Sequence, residues 1–331
     1  MKKIFCLFVA TVLLVSCAAK SEYKKHSFFV MDTFAEIRIY SETDDYTAAF
    51  KSVQNVAESV EKQISWTLQD SPIYKINSVD SGSVELSKTL DELLTVSMEI
   101  AEITGGYFEP VSGGLMELWE SCENEQRIPT DEELSEKVSD IYNTKSIKKE
   151  SRLYKNGKGK FEFGAIGKGY AADKIVENLK SNGVKTGMVT FVSTIAVFGE
   201  RDFKIAIRTP DTSGQTAGYI TIRDESLSVS GDYERFYTIN GEKYNHIIDP
   251  HTGLPVSNGI HSVAVVCKDA AVSDALSTAL FAMGMEKMME FYSSGIIDFE
   301  ALVITDDNII LTPGMIDKFE LISKNYTIAE I

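Results

Sequence analysis

Cysteine is scarce in this chain. Only four stand among 331 residues, and two of them, Cys6 and Cys17, fall within the first 17. A disulfide framework is therefore excluded as the source of stability, and a chain of this length has room for a core that needs none. Cys267 closes the apolar run Val263 to Val266 and reads as buried strand, whereas Cys122 reads as part of a polar loop, so no bond between them is expected. Long apolar runs are missing too. The longest, Ile4 to Val15, covers 12 residues, well short of the roughly 20 that a spanning helix needs. Basic residues are outnumbered, 33 Lys and Arg against 49 Asp and Glu, for a net charge of −16. So acidic a chain has no basic stripe to displace counterions, and no nucleic acid is expected as a partner. A polyanionic small ligand stays open if a cation supplies the positive charge. Linkers rich in Pro, Gly or Ser and internal repeats are also lacking, which leaves one α+β domain, in one or two lobes, as the simplest organisation.

What is present at the N-terminus reads as a targeting signal. Lys2 and Lys3 make a basic start, Ile4 to Val15 an apolar stretch, and Leu14-Val15-Ser16-Cys17 resembles the lipobox of bacterial lipoproteins. Residues 1–16 are expected to be removed, Cys17 to carry the lipid, 17–27 to act as a tether and 28–331 to form the working domain. Membrane contact is then by lipid anchor only, on the inner (cytoplasmic) membrane, facing the periplasm or the outside.

Periodicity sketches the rest. Phe28 to Tyr40 has strand character, and Asp44-Asp45 opens a helix with Phe50, Val53, Val56, Val60 and Ile64 at three-four spacing. A second helix from Lys88 carries Leu90, Leu93, Leu94 and Ile100 and stops at Gly105-Gly106. Thr130 with Glu133 predicts a capping box and a helix to Tyr142. Phe161 to Phe163 reads as strand, Gly164 to Gly169 as a turn, the next stretch as a helix to Asn182-Gly183, and Met188 to Phe198 as strand. Strands then dominate, at 203–207, 219–222, 227–229, 236–239 and 261–267. A helix from Ser273 to Met283 is predicted to end at Gly284, with strands at 299–304 and 308–311 after it.

Several short motifs carry chemistry. Gly164-Ala165-Ile166-Gly167-Lys168-Gly169 lies where backbone N–H groups and a helix dipole hold phosphate oxygens, and Lys168 adds a charge; a tight strand-to-helix turn explains the glycines equally well. Asp274 and Thr278, four apart on a helix, put two oxygens on one side for a hard cation, although Asp274 also suits a helix first turn for its dipole alone. His246 precedes the turn Asp249-Pro250-His251-Thr252-Gly253, either to handle a hydroxyl proton or as a capped loop residue. Arg235, after Ser230-Gly231-Asp232-Tyr233-Glu234, offers a fork for phosphate or carboxylate. Tyr107, Phe108 and Trp66 supply flat faces, in a core or against a ring.

In this order, these segments resemble the ApbE family of FAD:protein FMN transferases from about Met31 to Gly284. Met31-Asp32-Thr33 resembles the family's Met-Gly-Thr, Ser65 to Asn77 its Ser-aromatic…Ser…Asn stretch, and Gly106 to Pro110 its Gly-x-Phe-Asp-Pro. Glu162 to Gly169 is similar to Asp-Leu-Gly-Gly-Ile-Ala-Lys-Gly, His246 to Pro255 to His-Ile-Ile-Asp-Pro-x-Thr-Gly-x-Pro, and Ala270 to Thr278 to Ala-x-x-Ala-Asp-Ala-x-Ser-Thr. The resemblance implies FAD as substrate and a Mg2+ site of Asp274, Thr278 and the Ala165 carbonyl. It implies His246, Lys168 and Asp274 as catalytic groups, and Met31, Trp66, Phe108, Glu109, Lys168, Arg235, His246 and Ile247 as flavin-binding residues. Implied acceptors are threonine-bearing subunits of redox complexes, of the sodium-pumping NADH:quinone reductase or Rnf type. One departure stands out: Val192-Ser193-Thr194 replaces the family's Gly-Gly-Asn or Gly-Gly-Asp, and bulk there is expected to hinder close approach. Glu109 stands for Asp and Val111 for Thr. Two other readings remain beside transfer: a magnesium-dependent FAD pyrophosphatase, and a lipoprotein that binds FAD without chemistry.

Overall fold

The computed structural model describes residues 23–40, 46–210 and 214–330; the segment expected to be a signal, Cys17 and Asp44-Asp45 lie outside the described residues. The described chain opens on a hairpin, β1 (Lys24–Val30) and β2 (Thr33–Ile39), where apolar content alone predicts one strand. Met31 and Asp32 make the difference. Both take positive φ, 52° and 55°, the combination that joins two strands through two residues with the right twist. Such φ values are strained for residues with side chains, and Glu61 steadies the turn by accepting from Met31 N at 2.7 Å. β1 also starts inside the stretch 17–27 read as a tether.

α1 (Thr47–Ile64) buries Val53, Ala57, Val60 and Ile64 along one stripe, the amphipathic pattern its spacing predicts. α2 (Pro72–Asn77), β3 (Ser81–Glu85) and α3 (Lys88–Ile103) follow, and the chain leaves α3 through Gly105 and Gly106, both at positive φ. α4 (Gly113–Asn124) is a helix where a polar loop is expected. Its signal was there, in Leu115, Leu118, Trp119 and Cys122 at three-four spacing, all buried, but the Gly-Gly start and polar end conceal it. Cys122 is therefore a buried helical thiol, and both it and Cys267 are free. α5 (Asp131–Asn143) begins with the predicted capping box. β4 (Lys145–Lys149) and β5 (Arg152–Asn156) join β3 in a small sheet.

Residues 161–163 are extended but belong to no strand; Lys160 alone forms a bridge, to Ser112. Beyond them come α6 (Gly167–Ser181) and a second hairpin, β6 (Gly187–Phe191) and β7 (Thr194–Phe198), again where one strand is predicted. Val192 turns that chain at φ 44° with its side chain 67% exposed. β8 (Phe203–Arg208), β9 (Thr216–Ile222), β10 (Ser226–Gly231), β11 (Phe236–Ile239), β12 (Glu242–Asn245) and β13 (Ser262–Cys267) lead to α7 (Ala270–Ser294). Gly284, at φ 74° and ψ 172°, interrupts α7 as expected, but helix resumes after it. β14 (Glu300–Ile304), β15 (Asn308–Leu311), α8 (Pro313–Ile316), β16 (Phe319–Leu321) and β17 (Thr327–Glu330) complete the described chain.

Nine strands form one sheet, in the order β1-β2-β6-β7-β10-β13-β14-β15-β17, antiparallel except for the last pair. One face carries Ile37, Val189, Phe191, Val263 and Val265 into a core shared with α1, α3, α6 and α7. The other carries Met188, Val197, Leu227, Ala264 and Val266 against Ile205, Ile220 and Phe319, which belong to the three-stranded sheet β16-β9-β8. Each of these buried side chains other than Ala264 contributes roughly 1.5–3 kcal/mol relative to exposure. The fold is α+β, with mixed sheets flanked by helices, as the sequence leads one to expect. Among the described residues no helix is long and apolar enough to cross a membrane.

Candidate active site

The start of α6 is built by contacts from far away in sequence. Asn77 clamps the extended segment before it, donating to Phe161 O and accepting from Phe161 N, both at 2.8 Å. Glu162 N bonds Pro110 O at 2.8 Å, which sets the Phe108–Pro110 segment beside this loop. Gly167 packs closely on α1, where an added Cβ would lie 2.7 Å from Ile64 Cδ1 and would have to displace the end of that side chain. Gly169 is tighter still. A Cβ there would sit 2.1 Å from the Ala270 carbonyl oxygen, so the first turns of α6 and α7 touch through backbone. Asp173 locks the pair, its two carboxyl oxygens accepting from Ala270 N and Ala271 N at 2.8 Å each; burial pushes this carboxyl up to about 7 against the pull of those two bonds.

Asp274 lies at the centre of this junction, only 5% exposed. Its Oδ2 accepts from Gly169 N at 3.0 Å and is 3.5 Å from Lys168 Nζ; its Oδ1 accepts from Thr194 Oγ1 at 3.0 Å. Thr278, one turn on, has Oγ1 3.1 Å from Ser230 Oγ. Thr194 changes the reading of the departure at 192–194. Its side chain is fully buried and turned toward Asp274 instead of filling the approach, while Val192 points outward at the tip of the hairpin.

The glycine loop also differs from the expected set of free amides. Gly164 N already donates to the Glu162 carboxylate, and Ile166 N and Gly167 N donate to Phe163 O. Lys168 curls back to give Gly164 O a hydrogen bond of 2.7 Å. The loop thus presents few free amides, and the positive charge beside it comes from the side chains of Lys168 and Arg235.

Around the loop the charges are crowded. Burial pushes the Glu162 carboxyl up, against the pull of Gly164 N, Lys168 and Arg235. Partial desolvation raises Glu234 as well, opposed by Lys168 and Arg235, although its edge is open to water. His246 faces the same cations. Burial lowers its pKa to about 4, and Arg235 and Lys168 add to the effect. The ring is only half-buried, so water moderates this shift, yet even its ordinary value leaves it neutral at pH 7. His246 Nδ1 is 2.9 Å from Arg235 O. A carbonyl only accepts, so Nδ1 carries the proton and Nε2 keeps a bare lone pair, the arrangement of a proton acceptor.

The remaining residues singled out from sequence are less alike. Met31 forms the first hairpin turn, and Trp66 is half-buried against the main core just beyond α1. Phe108, 3% exposed, is core and offers no free ring face; Ile247 is buried too. Glu109 accepts from Val111 N at 2.9 Å, its carboxyl raised by burial. Among the described residues no three His, Cys, Asp or Glu side chains converge as a metal cluster. Asp274, Thr278 and the Ala165 carbonyl are nevertheless hard oxygen donors, and Mg2+ commonly takes one or two carboxylates and completes its shell with water and phosphate. The donor chemistry fits that ion.

Sequence reasoning missed Glu162 and Glu234 as charged members of the site, Thr194 as partner of Asp274, and the serine seam between β10 and α7. Ser228 meets Ser273 at 3.0 Å and Ser230 meets Ser277 at 2.8 Å. Serines two apart on a strand and four apart on a helix were the available signal.

The sequence model of the ApbE family matches residues 31–303. The chain belongs to the ApbE family. A relative named FAD:protein FMN transferase, from Vibrio cholerae, is 30% identical over 89% of this chain and 92% of its own length. Another of that name, from Treponema pallidum, is 26% identical over 95% and 94%. Among solved structures, the ApbE protein of Thermotoga maritima aligns with a TM-score of 0.78 at 28% identity, covering 90% of this chain and 96% of that one. The flavin transferase ApbE of Vibrio cholerae aligns at 0.74, with 24% identity over 92% and 98%, and supports the ApbE fold.

Proposed function

We propose that this ApbE-family chain is a magnesium-dependent FAD:protein FMN transferase. The observation that carries the reading is His246, with Nδ1 committed to Arg235 O and Nε2 bare, facing the cations Arg235 and Lys168, the second of which lies 3.5 Å from Asp274 Oδ2. The threonine oxygen of an acceptor protein bonds to the FMN phosphorus, and the bond from that phosphorus to the oxygen shared with AMP breaks. His246 Nε2 takes the hydroxyl proton. Lys168 and Arg235 offset the charge that AMP carries away. Mg2+ held by Asp274, Thr278 and the Ala165 carbonyl would supply further neutralisation of the pyrophosphate oxygens. Acceptors are threonine-bearing subunits of redox complexes of the sodium-pumping NADH:quinone reductase or Rnf type. Lipid on Cys17 places the enzyme on the outer side of the inner membrane beside them, and Cys17→Ser is expected to release it from membranes.

The test is AMP release from FAD with magnesium or with EDTA, with and without an acceptor, followed by the acceptor's mass. Magnesium-dependent AMP with an FMN-sized mass gain is expected. AMP without that gain would make the protein a pyrophosphatase, and bound FAD without AMP a flavin carrier. Asp274→Ala should abolish release while leaving FAD-independent folding measurable by circular dichroism; undiminished release would remove Asp274 from the metal site.

A further inference from the structure

His261 has no part in the chemistry above. Its Nδ1 lies 2.8 Å from Asp232 Oδ2 and its Nε2 2.9 Å from Asp306 Oδ1. Carboxylates accept, so both ring nitrogens donate, and both bonds together require the imidazolium. The charged groups acting on the ring are these two carboxylates. Burial favours the neutral ring, but the carboxylates outweigh it and hold the pKa above the usual histidine value. The two acids take opposite nitrogens, which makes a bridge and not a cation site.

The bridge joins two places that matter differently. Asp306 stands in the turn between β14 and β15, with its side chain 86% exposed. Asp232 directly follows β10 and begins the loop to Arg235. Backbone bonds fasten the same point: Asp232 N donates to His261 O at 3.2 Å, and His261 N to Ile304 O at 2.8 Å. Gly231 fits there because it has no side chain; a Cβ would lie 2.7 Å from the Tyr233 ring. From this pinned end the loop runs three residues to Arg235, whose carbonyl fixes the tautomer of His246.

We propose that His261 is a positioning residue of the transfer site: bonded to both Asp232 and Asp306, it ties the Asp232–Arg235 loop to the β14–β15 turn and so keeps the Arg235 carbonyl against His246. This rests on the reading of His246 as proton acceptor. Because the folded pKa is raised, the clamp is complete below about pH 6.5 and is lost as pH rises through the folded value.

Imidazole NMR on histidine-labelled protein tests this without relying on activity, since only four histidines need assignment. His261 is expected to titrate above about 6.5, Asp306→Asn to lower that midpoint, and the His246 ring signals to move along the His261 titration. In His261→Gln that movement of His246 should vanish. Alongside, kcat for AMP release should fall on the alkaline side at unchanged KM for FAD, and that fall should come at lower pH in Asp306→Asn but keep its parental position in Asp306→Glu. A His246 signal that ignores both the His261 titration and Asp306→Asn would overturn the clamp. If no AMP is released under any condition, the transfer reading fails, and the NMR result still decides whether the clamp exists.

Discussion

Thr194→Val is the most revealing change to make, because it removes one hydroxyl and little else. Thr194 Oγ1 donates to Asp274 Oδ1 at 3.0 Å with both side chains buried, so water does not replace the lost partner. A hydrogen bond to a charged group contributes about 1.5–3 kcal/mol. Valine keeps the branched shape, and the rest of the Asp274 shell, Gly169 N and Lys168, stays in place. Unfolding should therefore come roughly 2–5 °C lower for a chain of this length. Under the proposed magnesium site the carboxylate also loses the contact that orients it, and partners of that kind typically change metal affinity by about 10–100-fold. Half-maximal AMP release should need correspondingly more magnesium. Thr194→Ser, which keeps the donor, should recover most of both effects. The reasoning fails if Thr194→Val melts and responds to magnesium like the parent; if serine behaves like valine, the methyl group and not the hydroxyl is what matters.

Three other changes probe separate parts of the structure. The folded pKa of His246 is depressed to about 4, so the unfolded chain takes up its proton first as pH falls below about 6.5. Stability should decline between about pH 6.5 and about pH 4, and His246→Gln should flatten part of that decline; acid unfolding curves that coincide would contradict it. Gly169→Ala forces a methyl into the Ala270 carbonyl and should cost about 3 kcal/mol or more, seen as poor soluble yield or a large drop in melting temperature, whereas a parent-like melt would show the helices are free to part. Thr130→Ala, remote from the site, should lower stability by about 1 kcal/mol through loss of the helix cap, with AMP release per folded molecule unchanged.

How far the sequence carried depended on the kind of signal. Helices with an uninterrupted apolar stripe or a capping box, α1, α3 and α5, were legible. Both hairpins were read as single strands because their turns use Met31-Asp32 and Val192-Ser193, and neither pair contains the glycine that normally betrays positive φ. α4 was missed because glycines open it. At the site, the motif residues Lys168, Asp274, Arg235 and His246 were visible as local patterns. Thr194 and Glu234 were not, because what gives them a role is proximity to groups tens of residues away, which local periodicity does not encode, and Glu162 was not, because its role comes from burial beside Lys168 and Arg235. Phe108, which the resemblance implies as a flavin contact, lies in the core at 3% exposure, where an aromatic is found more often than not.

The two oxygens of Asp274 are held by Gly169 and Thr194, 105 and 80 positions earlier in the chain. No local segment holds both contacts, so they form only when β7 and the first turns of α6 and α7 are assembled. Any ligand that needs both contacts has nothing to bind in the unfolded chain and would stabilise the native state by mass action, about 2.7 kcal/mol at a hundred times its dissociation constant. Melting temperature thus becomes a binding assay. Flavin, nucleotide and metal can each be ranked by how far they raise it, in an enzyme whose acceptor has yet to be supplied.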